Sequence, residues 1–489
     1  MTRTPRCAVS AVLIAMALLS ASTASANVAL TQVSSDPFIN STSAHRTQVE
    51  PDTFAVGSTV VAAFQSGRFF DGGSSDIGWA TSLDDGATWT NGFLPRITKF
   101  RKSGPYDRVS DPSVAYDAAH GIWLISSLAM LESPSLHGAA IVVSRSRDGG
   151  LTWGAPVTVA TGVDTDKNWT TCDSNTTSPF YGNCYTEWDD HGAGNVIEMN
   201  TSTDGGRTWG PSTTTADNAR GLGGQPLVRP DGTVVVPIDN VNETAVLAFG
   251  STDGGTTWSS TVTVASISSH AVAGGLRSGP LVSAEIDAAG KVYVAWHDCR
   301  FESGCPANDI VMSTSNNGTS WSAVKRIPIS NTSGVVDRFL PGLAVDRSSS
   351  GAGAHLGLTY YYYPSAQCTT ATCQLQVGYV SSIDGGRHWS RPTRLAGPMS
   401  LSWLASTSQG WMVGDYISTS FSSAGAHPVF AVANAPAGSV LDEAMYSPAT
   451  GLAAASGTAG GAPAVASGDE QPVAGFASDH AAGPALTRR

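Results

Sequence analysis

Charge is scarce in this chain. Asp, Glu, Lys and Arg together make up only 13% of 489 residues. Basic residues are scarcer still, 27 Lys and Arg against 39 Asp and Glu, which leaves a formal net charge of -12. Such a surface disfavours nucleic acid and anionic membranes as partners. No long amphipathic helical stretch occupies the middle of the chain, so a helical domain is not expected. Beyond the N-terminus no segment is long and apolar enough to cross a membrane. No cysteine pair has the Cys-x-x-Cys spacing of a zinc site and no histidine cluster accompanies the cysteines, which argues against a cysteine-held metal.

What the chain has in excess points to strands and turns. Its 53 glycines, with many Thr, Ser and Val, suit short strands joined by tight reversals. An octapeptide Ser-x-Asp-x-Gly-x-Thr-Trp recurs, at Ser82–Trp89, Ser146–Trp153, Ser202–Trp209 and Ser251–Trp258. It degenerates to TSNNGTSW at Thr314–Trp321 and returns as SIDGGRHW at Ser382–Trp389. The tryptophans stand 64, 56, 49, 63 and 68 residues apart, the period of a supersecondary unit repeated as an array. The Asp accepts backbone N–H groups, glycine supplies positive φ at the reversal, and Thr-Trp opens the next strand.

This octapeptide resembles the Asp-box of the sialidase superfamily. The resemblance runs over about residues 48–392 and implies an all-β propeller of four-stranded blades, with each box between the third and fourth strands. Gly182–Asp190, Gly232–Asn240 and Gly290–Asp298 align as second strands of three blades. Six boxes require six blades. Residues after the last box offer further strands at Trp411–Phe421, Pro428–Ala433 and Glu443–Ser447, with a fourth from Val28–Val33 near the other end of the chain. The expectation is therefore seven blades, six being the alternative, in a ring closed by the N- and C-terminal strands.

The N-terminus reads as a secretory signal. Arg3 and Arg6 precede the apolar run Ala8–Leu19, and Ala24-Ser25-Ala26 offers a cleavage site. The expected organisation is a signal peptide over 1–26, the propeller over 27–450, and an Ala/Gly/Ser/Pro-rich disordered tail over 451–489. Six cysteines remain after export and form three close pairs, Cys172 with Cys184, Cys299 with Cys305, and Cys368 with Cys373. The expected protein is secreted, extracellular and monomeric.

In such a fold the boxes lie on the face away from the site, so their aspartates are structural. The functional face is formed where first strands begin and second strands end. Those positions carry Arg46, Glu50, Arg108, Asp111, Asp166, Lys167, Arg220, Arg277, Arg338 and Asp415, then Arg68, Asp189, Asp190, Asp239, His297, Asp298, Arg300 and Tyr360–Tyr363. These ions either build a site or simply neutralise one another around a wet funnel.

Sialidases grip a substrate carboxylate with three arginines and attack with a tyrosine assisted by a glutamate, an aspartate serving as acid/base. What the resemblance implies is Asp111 as acid/base, Tyr361 (or Tyr363) as nucleophile and Glu187 as its base. Arg108, Arg277 and Arg338 would form the triad, with Asp298, Arg300 and Asp415 lining the substrate. The family's Phe/Tyr-Arg-Ile-Pro motif is absent before Ser82, and Arg326-Ile327-Pro328 follows the fifth box instead. The expected function is an exo-α-sialidase type of glycoside hydrolase acting on terminal acidic sugars. A non-catalytic glycan- or protein-binding propeller and a polysaccharide lyase are the alternatives. No cofactor is required, and a structural calcium would sit near Asp164, Asp166 and Asp173.

Overall fold

The structure is a computed structural model that describes residues 28–332 and 334–455. The expected signal peptide lies outside the described residues, as does the expected tail from residue 456 onward. Among the described residues the protein is all-β, and helix is confined to single turns such as His191–Ala193 and Leu401–Trp403.

Antiparallel units of four strands follow one another along the chain. Unit I comprises Gln48–Val56, Thr59–Arg68, Ser74–Ser82 and Thr90–Phe93. Unit II comprises Arg108–Asp117, Ile122–Leu131, His137–Ser146 and Val157–Thr161, and touches unit I through one pairing, Ser74 with Val109. Unit III begins with Thr165–Cys172 and Cys184–Asp190. In unit IV the first strand is broken into Gly221–Leu222 and Leu227–Val228. Unit V opens with Ser283–Ile286, and unit VI with Asp337–Val345.

The last unit takes strands from both parts of the chain. Ser418–Ser422, Gly425–Ala437 and Val440–Pro448 are completed by Leu30–Gln32, which pairs antiparallel with Val440–Pro448. The expected strand Trp411–Phe421 is interrupted. Its first part, Gly410–Met412, pairs with Ala405–Thr407 in a separate hairpin.

The box turns explain why these sheets reverse where they do. In the first, the Ser82 hydroxyl donates to Asp84 at 2.8 Å and accepts from the Gly86 N–H at 2.8 Å. The Thr88 N–H and hydroxyl both donate to Asp84, at 2.8 and 2.6 Å, and the Trp89 indole donates to the Gly86 carbonyl. The Thr88 bonds hold the Asp84 carboxyl below its ordinary range. In the degenerate fifth box Asn317 takes the same place, accepting the Ser320 N–H at 2.8 Å. The box aspartates are thus consumed by their own turns.

The first strands of successive units pack on one another, and polar side chains stitch them together. The Val114 N–H donates to Asp52 at 2.7 Å, the Thr170 N–H to Ser113, the Ala284 N–H to Gln225, and the Leu343 N–H to Ser283. Thr53 meets Ser418 and Ser420 at 2.9 and 2.7 Å, which joins unit I to the last unit. All three expected disulfides are present. Cys172–Cys184 clamps the first hairpin of unit III, while the other two close loops between second and third strands.

Candidate functional site at the starts of the first strands

Several first strands carry the same irregularity near their start. The pairing slips between Val49 and Asp52, between Ser110 and Ser113, between Asp166 and Trp169, and between Phe339 and Gly342. Each slip is a bulge whose extra residue takes positive φ: Glu50 (61°), Asp111 (46°), Lys167 (42°) and Leu340 (50°). A non-glycine residue there is strained, and such bulges re-aim side chains. Three of the four are charged, and all three reach one network.

Lys167 is its hub. The ammonium lies 3.1 Å from Asp111, 2.5 Å from Asp415 and 3.5 Å from Glu50. Arg277 grips Asp415 through two parallel bonds, Nε to Oδ1 at 2.6 Å and Nη2 to Oδ2. Gln65 donates to Glu50, and the Asp415 N–H reaches Glu50 at 3.2 Å. Gly414 makes that approach possible. A Cβ there would lie 2.8 Å from the Glu50 Cα, at a φ of 145°. Arg68, buried below, donates to Gln65 at 2.9 Å. Tyr416 packs edge-on against Trp169, with ring centroids 5.1 Å apart, and donates its hydroxyl to the Pro112 carbonyl at 3.0 Å.

Burial and neighbours separate the ionisations. Burial pushes Glu50 up to about 7, against the pull of Lys167. Burial and then Asp111 push Asp166 up to about 6, and burial and then Asp166 push Asp189 well above the carboxylate range. Desolvation of Asp415 is outweighed by Arg277 and Lys167, which hold its carboxyl down. Desolvation of Lys167 is outweighed by Asp111, Asp415 and Glu50, which hold its proton on. Burial and then Arg277 lower Arg68 to about 10.

The sequence-derived candidates divide. Asp111, Arg277 and Asp415 meet in this network. Arg108 pairs with Asp71 and with Glu132 at 2.8 Å, and its guanidinium lies over Phe69. Arg338 is fully buried, 3.2 Å from Asp309 and 2.6 Å from the Ser330 hydroxyl. The three expected triad arginines are therefore not brought together, and the cations that share the network are Lys167, Arg277 and Arg68. Tyr361 lies in the apolar core and donates to the Ala431 carbonyl at 2.9 Å, and Tyr363 is equally buried. Glu187 is buried against Gly224, and burial followed by the Asp189 charge pushes its carboxyl well above the ordinary range. Asp298 accepts from Arg300, the Ser268 N–H and the Trp296 indole, a local knot at the Cys299–Cys305 loop.

Among the described residues no group of three His, Cys, Asp or Glu side chains is placed to hold a metal. Of the aspartates expected near a calcium, Asp164 accepts from His191 and the Gly138 N–H, and Asp173 from Ser178 and Asn175.

Asp52 and Asp337 carry a stability consequence. Both are buried and pushed up to about 7, burial being the largest cause in each. In an unfolded chain such groups titrate near 4. The folded protein therefore binds these protons more tightly, and stability is full below about pH 4 and drains away as pH rises to about 7. Each group is worth at most roughly 4 kcal/mol over that window. Thermal unfolding should show a higher midpoint at pH 5 than at pH 8, and Asp52→Asn with Asp337→Asn should flatten the difference.

The turns and sheets make an all-β protein. Residues 129–341, somewhat under half of the chain, match the family profile described as a BNR repeat-like domain. No curated protein matches the chain in sequence. Among solved structures it is similar to a Dyadobacter fermentans protein of unknown function, at 15% identity and TM-score 0.47, covering 74% of this chain and 100% of that one. The intramolecular trans-sialidase of Ruminococcus gnavus follows at 13% identity and TM-score 0.46, covering 66% and 91%. A Trypanosoma rangeli sialidase shows 17% identity and TM-score 0.42, covering 69% and 56%.

Proposed function

We propose that this protein is a secreted, sialidase-like glycoside hydrolase acting on terminal acidic sugars, with its site at the Lys167 network. The seven units are read as the blades of a propeller, with Leu30–Gln32 closing the ring. Three disulfides and the signal-like N-terminus support export. The observation that carries the reading is the convergence of three strained charged residues, Glu50, Asp111 and Lys167, from three successive units. Strain of this kind is not needed to build a sheet and is retained where side-chain aim matters.

Roles follow from position. Asp111 is the acid/base. Tyr416 replaces Tyr361 as the nucleophile candidate, because it belongs to the network, with the Lys167 ammonium 5.9 Å from the centroid of its ring. Attack requires the Tyr416 hydroxyl to leave the Pro112 carbonyl, and Glu50, in its ionised form, would then take its proton. Arg277, Lys167 and Arg68 receive the sugar carboxylate, which exchanges with Asp415. As pH falls through about 7 Glu50 takes up a proton, and below about pH 6 Asp166 follows, so the network loses negative charge and an anionic sugar is admitted. KM for a sialoside should therefore fall as pH drops from 7.5 to 5.

The test is turnover of 4-methylumbelliferyl sialoside by the mature protein. Asp111→Asn should lower kcat by about 10²–10⁴ while the unfolding midpoint stays within a few degrees. Unchanged turnover in that variant removes Asp111 from the reaction. One observation favours the second reading, a glycan-binding propeller without turnover: Lys167 and Arg277 are already answered by carboxylates of the chain itself. Folded protein that binds sialosides and releases no product would establish it.

A further inference from the structure

The far ends of the same first strands open into a cavity. The strands that carry Glu50 and Asp111 near their starts reach it at Phe54 and Tyr116, roughly 15 Å away at about 3.3 Å per residue. The cavity encloses about 530 Å³. That is within the range of small-molecule sites. Nothing in the proposed reaction uses it.

Its lining has two characters. Phe54, Tyr116 and Phe421 supply aromatic rings, none of them fully buried. The lining also carries the hydroxyls of Ser420, Ser422 and Ser423 from the last unit, which are held in place by Thr53, His427 and Asp85 and keep lone pairs for a further bond. Charge is nearly cancelled. Arg347 lies 3.3 Å from Glu285, and its guanidinium sits 4.6 Å from the centroid of the Phe54 ring. Asp346 is taken by His355 at 3.3 Å. A cavity meant for an anion would leave a cation unanswered, and one meant for a lipid chain would not carry serines and an ion pair.

We propose that this cavity binds a neutral saccharide, one to three rings long. Sugar rings present apolar C–H faces to aromatic side chains and hydroxyl edges to polar ones, and the lining supplies both kinds of partner. Arg347 and Glu285 offer a fixed donor and acceptor at the floor, the few convergent polar groups that orient a ligand in an otherwise apolar site. The protein would then hold a glycan at a point remote from the Lys167 network, independently of any reaction there.

The experiment is saturation-transfer NMR and calorimetry on the full mature protein, with lactose, maltotriose and N,N′-diacetylchitobiose as probes. Binding of at least one in the millimolar range is expected, about -4 kcal/mol. Ala118→Trp projects an indole into the cavity from a turn and should abolish binding. Phe421→Ala and Arg347→Gln should each weaken it about tenfold. Asp111→Asn, at the other end of the strands, should bind as the parent does, which separates this site from the reaction proposed above. No binding of any probe, or binding indifferent to Ala118→Trp, overturns the proposal. Capture of an apolar dye such as anilinonaphthalene sulfonate with no saccharide bound also overturns it.

Discussion

Asp415→Ala is expected to cost about 3–5 kcal/mol of folding stability, the largest single effect of any substitution in the network. The reason is what it leaves behind. Lys167 and Arg277 are both largely withdrawn from water, and Asp415 is the one carboxylate that touches both. Without it Arg277 loses its paired acceptor, while Lys167 keeps Asp111 and Glu50. Arg277→Met alone should be less damaging than Asp415→Ala, because Asp415 retains Lys167. The double variant should be more stable than the sum of the two predicts, by 1 kcal/mol or more. Chemical denaturation of the four proteins measures this directly. An Asp415→Ala loss below about 1 kcal/mol would mean the network is wet and worth no more than a surface pair.

Removing residues 28–35 is the second large perturbation. Val33 is fully buried and its N–H donates to the Met445 carbonyl at 2.9 Å. Ser34 donates to Gln48 and accepts from the Met445 N–H. Burial of one valine and loss of several hydrogen bonds together amount to roughly 5 kcal/mol. The deletion also bares Val440–Pro448 as a sheet edge, an invitation to pair with another copy. The truncated protein should unfold at markedly lower denaturant and self-associate on sizing. A synthetic peptide of residues 28–36 added in trans should restore both properties. Wild-type stability in the truncated form would show that Leu30–Gln32 contributes no more than a loose cover.

The repeat was the legible part of this protein, and the physics says why. Each box is an eight-residue device whose bonds close on themselves, so Ser82 and Asp84 mean the same thing wherever they occur. The three cysteine pairs were legible for the same reason, being local. So was the last sheet, where Pro428–Ala433 and Glu443–Ser447 fall inside longer strands. The site was only half legible. Arg277 and Arg338 occupy the same frame, two residues before Gly279-Pro280 and Leu340-Pro341. Yet one joins the network and the other is held by Asp309, because the answering carboxylate comes from a distant segment in each case. A usable signal was present in Glu50-Pro51 and Asp111-Pro112, where a charged residue precedes proline at the start of a strand. Lys167 has no proline after it, and Tyr416 was hidden behind Asp415.

The pairing of Leu30–Gln32 with Val440–Pro448 also sets an order of events. Leu30–Gln32 has no partner until Val440–Pro448 is made, more than 400 residues later. Units I to VI can each form from neighbouring segments, whereas the last unit must wait for residue 448. Contacts so remote in sequence slow folding. The two segments thus act as a latch that only a chain reaching Pro448 can fasten, and one that stops short of it keeps its edge open.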